Sequence, residues 1–275
     1  MQHGILVPID FSETTELSLK YAIGAAKVLN TGIALLHITS EDSDKPKAED
    51  KLNEIIYKHN YAGVNMRSYT KTGNIFEGIG EAAEELGCRV IFMGTHGLKG
   101  LQVVFGSHAL RVVTNSKVPF IITQDRPPKD DNIDSIVMPI EIGKDEKQVL
   151  TGVVTTAQTF KAKVHLFVAR HADEFHENAI KRNLNFAKKY LAEHNVDYTT
   201  THAETEENFD DQVIRFADAI DADMIAIINH MEGGIKNLFG ANFDQNIITN
   251  SAKIPVLVMN TKDLNNITDV FGVFG

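Results

Sequence analysis

The sequence predicts an α/β protein made of two repeated, doubly wound domains, each a five-stranded parallel sheet. Three observations carry that expectation. Short apolar runs alternate with helix-period segments along the chain, the order that yields a parallel sheet covered on both faces. Ile5-Leu6-Val7-Pro8-Ile9-Asp10 recurs as Ile136-Val137-Met138-Pro139-Ile140-Glu141, and Thr114-Asn115-Ser116-Lys117-Val118-Pro119 recurs as Thr249-Asn250-Ser251-Ala252-Lys253-Ile254-Pro255. A repeat of that length is a duplicated domain, not a solenoid. The copies are separated by Asp125-Arg126-Pro127-Pro128-Lys129-Asp130-Asp131-Asn132, where prolines and charges interrupt the apolar pattern. The expected division is residues 1–127, residues 133–262 and a tail over 263–275.

Within the first domain a strand breaks at Pro8 and ends near Ile9. Ser12 or Asp10 then caps a helix through Leu17, Leu19, Ala22, Ile23, Ala26 and Leu29, closed by Asn30-Thr31-Gly32. Ile33 to Ile38 is β-capable. A polar loop with Pro46 leads to a helix over Ala48 to His59, and Asn65 to Lys71 forms the next strand. Asn74 caps Ile75 to Leu86, Gly87 stops that helix, and Val90 to Met93 is the fourth strand. A helix over Gly106 to Asn115 and a strand over Pro119 to Thr123 complete the domain. The second domain repeats the series: strands at Ser135 to Ile140, Lys163 to Ala169, Tyr198 to Ala203, Met224 to Ile228 and Val256 to Asn260. Helices are expected over Glu146 to Phe160, Glu174 to Asn195, Phe209 to Ile220 and near Phe243 to Thr249.

Composition narrows the classes of function. With 43% apolar and 23% charged residues over 275 positions the chain has an ordinary globular make-up. A net charge of −10 argues against nucleic acid, whose binding needs a basic face. No apolar run approaches a membrane span of roughly 20 residues. Met1-Gln2-His3 carries no basic region of a secretory signal. The single cysteine, Cys88, excludes an internal disulfide and reads as a small buried filler. A cytoplasmic protein is expected. The tail ends in Phe271-Gly272-Val273-Phe274-Gly275, whose two phenylalanines call for a surface to dock on.

The chemistry concentrates at two places. Behind Val90-Ile91-Phe92-Met93 runs Gly94-Thr95-His96-Gly97, and after eight further residues Gly106-Ser107. Glycines let a phosphate reach the backbone, and free amides at a helix start beginning near Ser107 supply donors and partial positive charge. Ser107, followed by His108 and Ala109, would give hydroxyl and backbone donors. At the other place Asp10 follows Pro8-Ile9 directly before a helix. Both segments lie at the carboxyl ends of strands, where open parallel sheets bind ligands. Each has a plain alternative, since Asp10 is a good helix cap and glycines also join strands to helices for steric reasons. No Walker lysine, zinc spacing or nucleophile elbow accompanies them.

Pro8-Ile9-Asp10-Phe11-Ser12, Leu35-Leu36-His37-Ile38, Thr72-Gly73-Asn74 and Met93-Gly94-Thr95-His96-Gly97 with Gly106-Ser107 together resemble a universal stress protein of the ATP-binding type. The resemblance covers the first half of the chain. It departs from the family's Gly-x2-Gly-x9-Gly-Ser/Thr pattern by one residue, with eight where nine are usual. It implies an adenine nucleotide alpha hydrolase-like fold and ATP, with Mg²⁺ carried by the nucleotide. The site it implies is Pro8, Ile9, Asp10, Ile38, Met93, Gly94, His96, Gly97, Gly106, Ser107, His108 and Ala109, with Ile9 and Ile38 offering backbone groups and apolar contact to the adenine. Neither a catalytic residue nor a protein-held metal is expected.

In the second half the matching stretch is Ile227-Ile228-Asn229-His230-Met231-Glu232-Gly233-Gly234, with Ala241 where the first half has Ser107 and Glu141 where it has Asp10. That is the pattern of a domain that kept the fold and lost the nucleotide site. It would serve as an internal dimer partner, and the resemblance implies pairing of the strands Pro119 to Thr123 and Pro255 to Asn260. Further homodimerisation is left open. The expected function is a nucleotide-dependent stress sensor or switch acting on an unidentified protein partner. A slow adenine-nucleotide hydrolase and a nucleotide-free scaffold are the alternatives.

Overall fold

The computed structural model describes residues 3–95, 113, 116–142, 146–229 and 246–260. The expected helix over Gly106 to Asn115 lies outside these residues except for Val113, which is helical and buried; the tail over 263–275 lies outside them too. The chain divides into two compact units between Asn132 and Ile133.

The first unit contains β1 (His3–Pro8), α1 (Glu13–Leu29), β2 (Gly32–Thr39), α2 (Lys45–Lys58), β3 (Met66–Thr72), α3 (Ile75–Glu85), β4 (Val90–Gly94) and β5 (Phe120–Thr123). Its strands are parallel in the order β3-β2-β1-β4-β5. The chain winds outward from β1 to β3, then returns to β4 beside β1. Crossover direction therefore reverses between β1 and β4, and it is outside the carboxyl ends at such a point that open parallel sheets bind ligands. Ile5, Leu6, Ile33, Leu35 and Ile91 are fully buried in its centre, each stabilising by roughly 1.5–3 kcal/mol relative to exposure. The outer strand β3 reads Met-Arg-Ser-Tyr-Thr-Lys-Thr and is mostly half-buried, a polar edge that discourages further pairing.

The second unit repeats the plan with β6 (Ser135–Ile140), α4 (Glu146–Phe160), β7 (Lys163–Val168), α5 (Glu174–Glu193), β8 (Tyr198–His202), α6 (Phe209–Ala219), β9 (Met224–Asn229) and β10 (Val256–Asn260). Its order is β8-β7-β6-β9-β10, again parallel. Residues 246–248 are helical, within the expected Phe243 to Thr249.

Several boundaries differ from expectation for identifiable reasons. β1 does not break at Pro8: Pro8 still pairs with Leu36, and the Ile9 amide donates to the Leu36 carbonyl at 2.8 Å. Because strand amides alternate sides, the nitrogen of Pro8 faces β4, and pairing between β1 and β4 covers Ile5 and Leu6 alone. The missing donor thus ends the hydrogen-bonded ladder to β4 while the pairing with β2 continues. Pro139 occupies the equivalent place, opposite Phe167, while β6 meets β9 at Ile136 and Val137. Helix α2 begins at Lys45, not Ala48, because Pro46 fits a first turn that needs no amide there. The buried face of α1 includes Thr14, Thr15 and Ser18 along with the expected apolar positions, whereas Leu17 is half-exposed. Asn30 closes that helix in the left-handed conformation, φ 49°.

Candidate functional site

Asp10 leaves β1 exposed to solvent, and its Oδ1 accepts hydrogen bonds from the Ser12 amide at 2.9 Å and the Thr15 hydroxyl at 3.1 Å. Ser12 is the N-cap of α1, its hydroxyl accepting from the Thr15 amide at 3.5 Å. Both residues named as capping candidates therefore act together. One oxygen of Asp10 ties the turn to the helix, and Oδ2 is left as an acceptor.

Phe11, between them, holds φ 67°, a left-handed conformation that bulky residues adopt only when their surroundings impose it. Its ring lies 4.5 Å from the His37 ring, and Lys51 Nζ stands 4.8 Å from the ring centroid on α2. His37 Nδ1 donates to the Ile9 carbonyl at 2.6 Å. A carbonyl only accepts, so Nδ1 carries the proton. With its amide on Leu36 and its carbonyl on His37, Ile9 has both backbone groups engaged, and its side chain is 3% exposed. Ile9 forms the floor beneath the edge. Ile38 is half-buried, its Cδ1 against the place a Gly78 side chain would take on α3.

Met93 is buried in β4, and Gly94 ends the strand opposite Thr123. A Cβ on Gly94 would stand 2.6 Å from the carbonyl oxygen of Thr14 and 2.9 Å from its carbonyl carbon. The absence of a side chain here is thus required by the approach of α1 to β4. Thr95 continues past the strand, its amide donating to the Thr123 carbonyl at 2.8 Å. His96, Gly97, Gly106, Ser107, His108 and Ala109 lie outside the described residues.

The ends of β2 and β3 carry a hydroxyl chain. Thr72 donates to Asp42 Oδ1 at 2.6 Å, which leaves Thr39 to donate to Thr72 at 3.2 Å. Lys45 and then Thr72 hold the Asp42 carboxyl below its usual range. Gly73 takes φ 146° and donates its amide to the Thr39 carbonyl at 3.1 Å, a turn that suits glycine.

In the second unit Glu141 stands where the first has Asp10. Burial pushes its carboxyl pKa up, and its carbonyl accepts from Asn183 Nδ2 at 2.8 Å. His230, Glu232 and Ala241 lie outside the described residues. A shallow cleft at the ends of β7 and β8 is lined by Arg170, His171, His202, Glu204 and Glu206. No group of three or more His, Cys, Asp or Glu among the described residues is placed to hold a metal ion. No helix among them is long and apolar enough to cross a membrane.

The family model described as the universal stress protein family matches residues 1–124, nearly the whole first unit. The first unit carries a universal stress protein domain. A universal stress protein of Methanocaldococcus jannaschii is 24% identical over 155 residues, covering 45% of this chain and 96% of that protein. The crystal structure of a universal stress protein from Archaeoglobus fulgidus matches 94% of this chain and 98% of its own at TM-score 0.74 and 19% identity, a likeness of fold. Another from Archaeoglobus fulgidus, solved in complex with dAMP, is 15% identical over 46% of this chain and 96% of its own, at TM-score 0.37. Two repeated α/β units, read from the recurring segments, are the fold observed.

The sequence pointed to Pro8, Asp10, Ile38 and Gly94, and the structure sets them at the carboxyl ends of β1, β2 and β4. Lys51 and Thr14 belong to no motif, and His37 entered only as part of the strand Leu35 to Ile38, with no role of its own. A histidine in an apolar strand and a lysine on a polar helix look ordinary until the chain is folded. The positive φ of Phe11 leaves no mark in composition.

Proposed function

We propose that the first unit binds an adenine nucleotide, ATP with Mg²⁺, at the carboxyl edge of β1 and β4, and that the bound state switches contacts with a protein partner. The observation that carries this reading is the placement of Asp10 at the carboxyl end of β1, beside β4 where the crossover direction reverses, exposed and, among the described residues, fastened through one oxygen. The free Oδ2 is an acceptor suited to ribose hydroxyls, and the half-buried Ile38 offers apolar surface to a base. The phosphates would lie on the glycine segment through Gly97, Gly106 and Ser107, with donors from His96, His108 and Ala109. Mg²⁺ would arrive on the phosphates and neutralise part of their charge. The match of residues 1–124 to the universal stress protein family model agrees with this reading. Glu141, longer and half-buried at the equivalent position, with desolvation raising its carboxyl pKa, supports a second unit without that role.

The test is calorimetric titration of nucleotide-stripped protein with ATP and Mg²⁺. One site per chain is expected, weakened at least tenfold in Asp10→Ala and lost in Gly106→Val. Absence of binding by wild-type protein that releases no nucleotide on denaturation would overturn the proposal.

A further inference from the structure

His3 opens β1 at the end opposite the nucleotide edge, and it is 6% exposed with neither ring nitrogen hydrogen-bonded among the described residues. The chain makes room for it. A Cβ at Gly32 on the adjacent strand would lie 2.7 Å from His3 Nδ1 and 3.1 Å from the Asn65 carbonyl. The register of β1 against β2 slips by one residue between His3 and Ile5, as in a β-bulge. Gly4, the extra residue, is pinned by its amide to the Thr31 hydroxyl at 2.9 Å and by its carbonyl to the Arg89 amide at 2.8 Å. Bulges of this kind aim a side chain where a regular strand would not.

Stability does not account for the arrangement. A buried imidazole without partners forfeits the hydrogen bonds it made to water, and an aromatic hydrocarbon would fill the slot without that loss. The groups facing the ring from β3 are Arg67 and the Tyr69 ring, 6.0 Å away and edge-on. From β2 the neighbour is Gly32, which carries no charge. Burial first, then Arg67, push the imidazole pKa below its usual value, and no carboxylate among the described residues opposes them.

We propose that His3 is an acid-released latch on the amino end of β1: its slot accepts the neutral ring and rejects the cation, so protonation ejects the ring and frees the bulged start of the strand. The released ring titrates near pH 6.5, and the seated ring titrates lower. The latch therefore holds above about pH 6.5 and loosens as the pH falls from there toward the lowered value. With one proton taken up on opening, the opening constant rises by up to about tenfold per pH unit across that window.

Amide hydrogen exchange on the full chain between about pH 7.5 and 5, corrected for intrinsic rates, reads this directly. The amides of Gly4 and Arg89 report the latch, and the Ile9 amide reports the far end of the same strand. Protection at Gly4 and Arg89 is expected to fall on acidification in the wild type while Ile9 holds, and to stay flat in His3→Phe. Parallel loss in both proteins, or no loss in the wild type, overturns the latch. Should His3→Phe fail to fold, NMR titration of the wild-type His3 ring decides: a midpoint below 6.5 supports the proposal, and one at or above 6.5 refutes it.

Discussion

Gly94→Ala separates two meanings of the first glycine in the Gly94 to Gly97 segment: packing and proposed nucleotide contact. In the structure the added methyl would stand 2.6 Å from the Thr14 carbonyl oxygen and 2.9 Å from its carbonyl carbon. These are backbone atoms in the first turn of α1, so no rotamer change relieves the contact. Either the helix start or the end of β4 must move by several tenths of an ångström. Overpacking of this sort costs about 1–3 kcal/mol, and the lost α1 contacts place the expectation near 2 kcal/mol. For a unit of this size that lowers the melting temperature by about 6–10 °C. Thermal unfolding of nucleotide-free protein is the assay, because it removes any ligand contribution to stability. A variant that melts with the wild type, yet binds ATP less well, would refute the packing argument and leave the glycine to the ligand. Loss of stability in the absence of nucleotide, with a secondary loss of affinity as the Asp10 turn shifts, is the expected outcome.

Two other predictions concern single buried groups. Cys88 is 6% exposed, and burial pushes its thiol up to about 12; at pH 8 the thiolate fraction is therefore about one in ten thousand. Alkylation should be undetectable in native protein over an hour and complete in denaturant, and native-state labelling at the rate of a free thiol would contradict the burial. Gln212, 6% exposed on α6, holds the loop after β8: its Oε1 accepts from the Glu204 amide at 2.8 Å, and its Nε2 donates to the Glu207 carbonyl at 2.8 Å and the Thr205 carbonyl at 3.1 Å. Gln212→Ala strands these backbone groups and should cost about 2–3 kcal/mol, read as a lowered urea midpoint, and a cost under about 0.5 kcal/mol would show that the loop is held by other means.

Much of the fold was legible because its causes are local. Caps at Ser12 and Asn74, the stop at Asn30 and continuous apolar strands such as Val90 to Met93 are properties of short segments, and all reappear in place. The repeat of Ile5 to Asp10 at Ile136 to Glu141 announced two units of one plan before any contact was known. Helix ends were less legible where a proline can either precede or begin a helix, as at Pro46.

By itself, then, the sequence determined the alternation of elements, the duplication and the edge at which Pro8, Asp10 and Gly94 gather, since periodicity and strand polarity depend only on order along the chain. Tertiary structure alone decided what each of those residues does there. Pro8 keeps its pairing with β2 while its nitrogen faces β4, where the ladder stops at Leu6, and Gly94 is small because a helix 80 residues earlier in sequence crosses its path at Thr14. His37 closes off the Ile9 carbonyl, and Gly32 yields its side-chain space to His3. Each of these facts is a distance between segments remote in sequence, and no local propensity encodes such a distance.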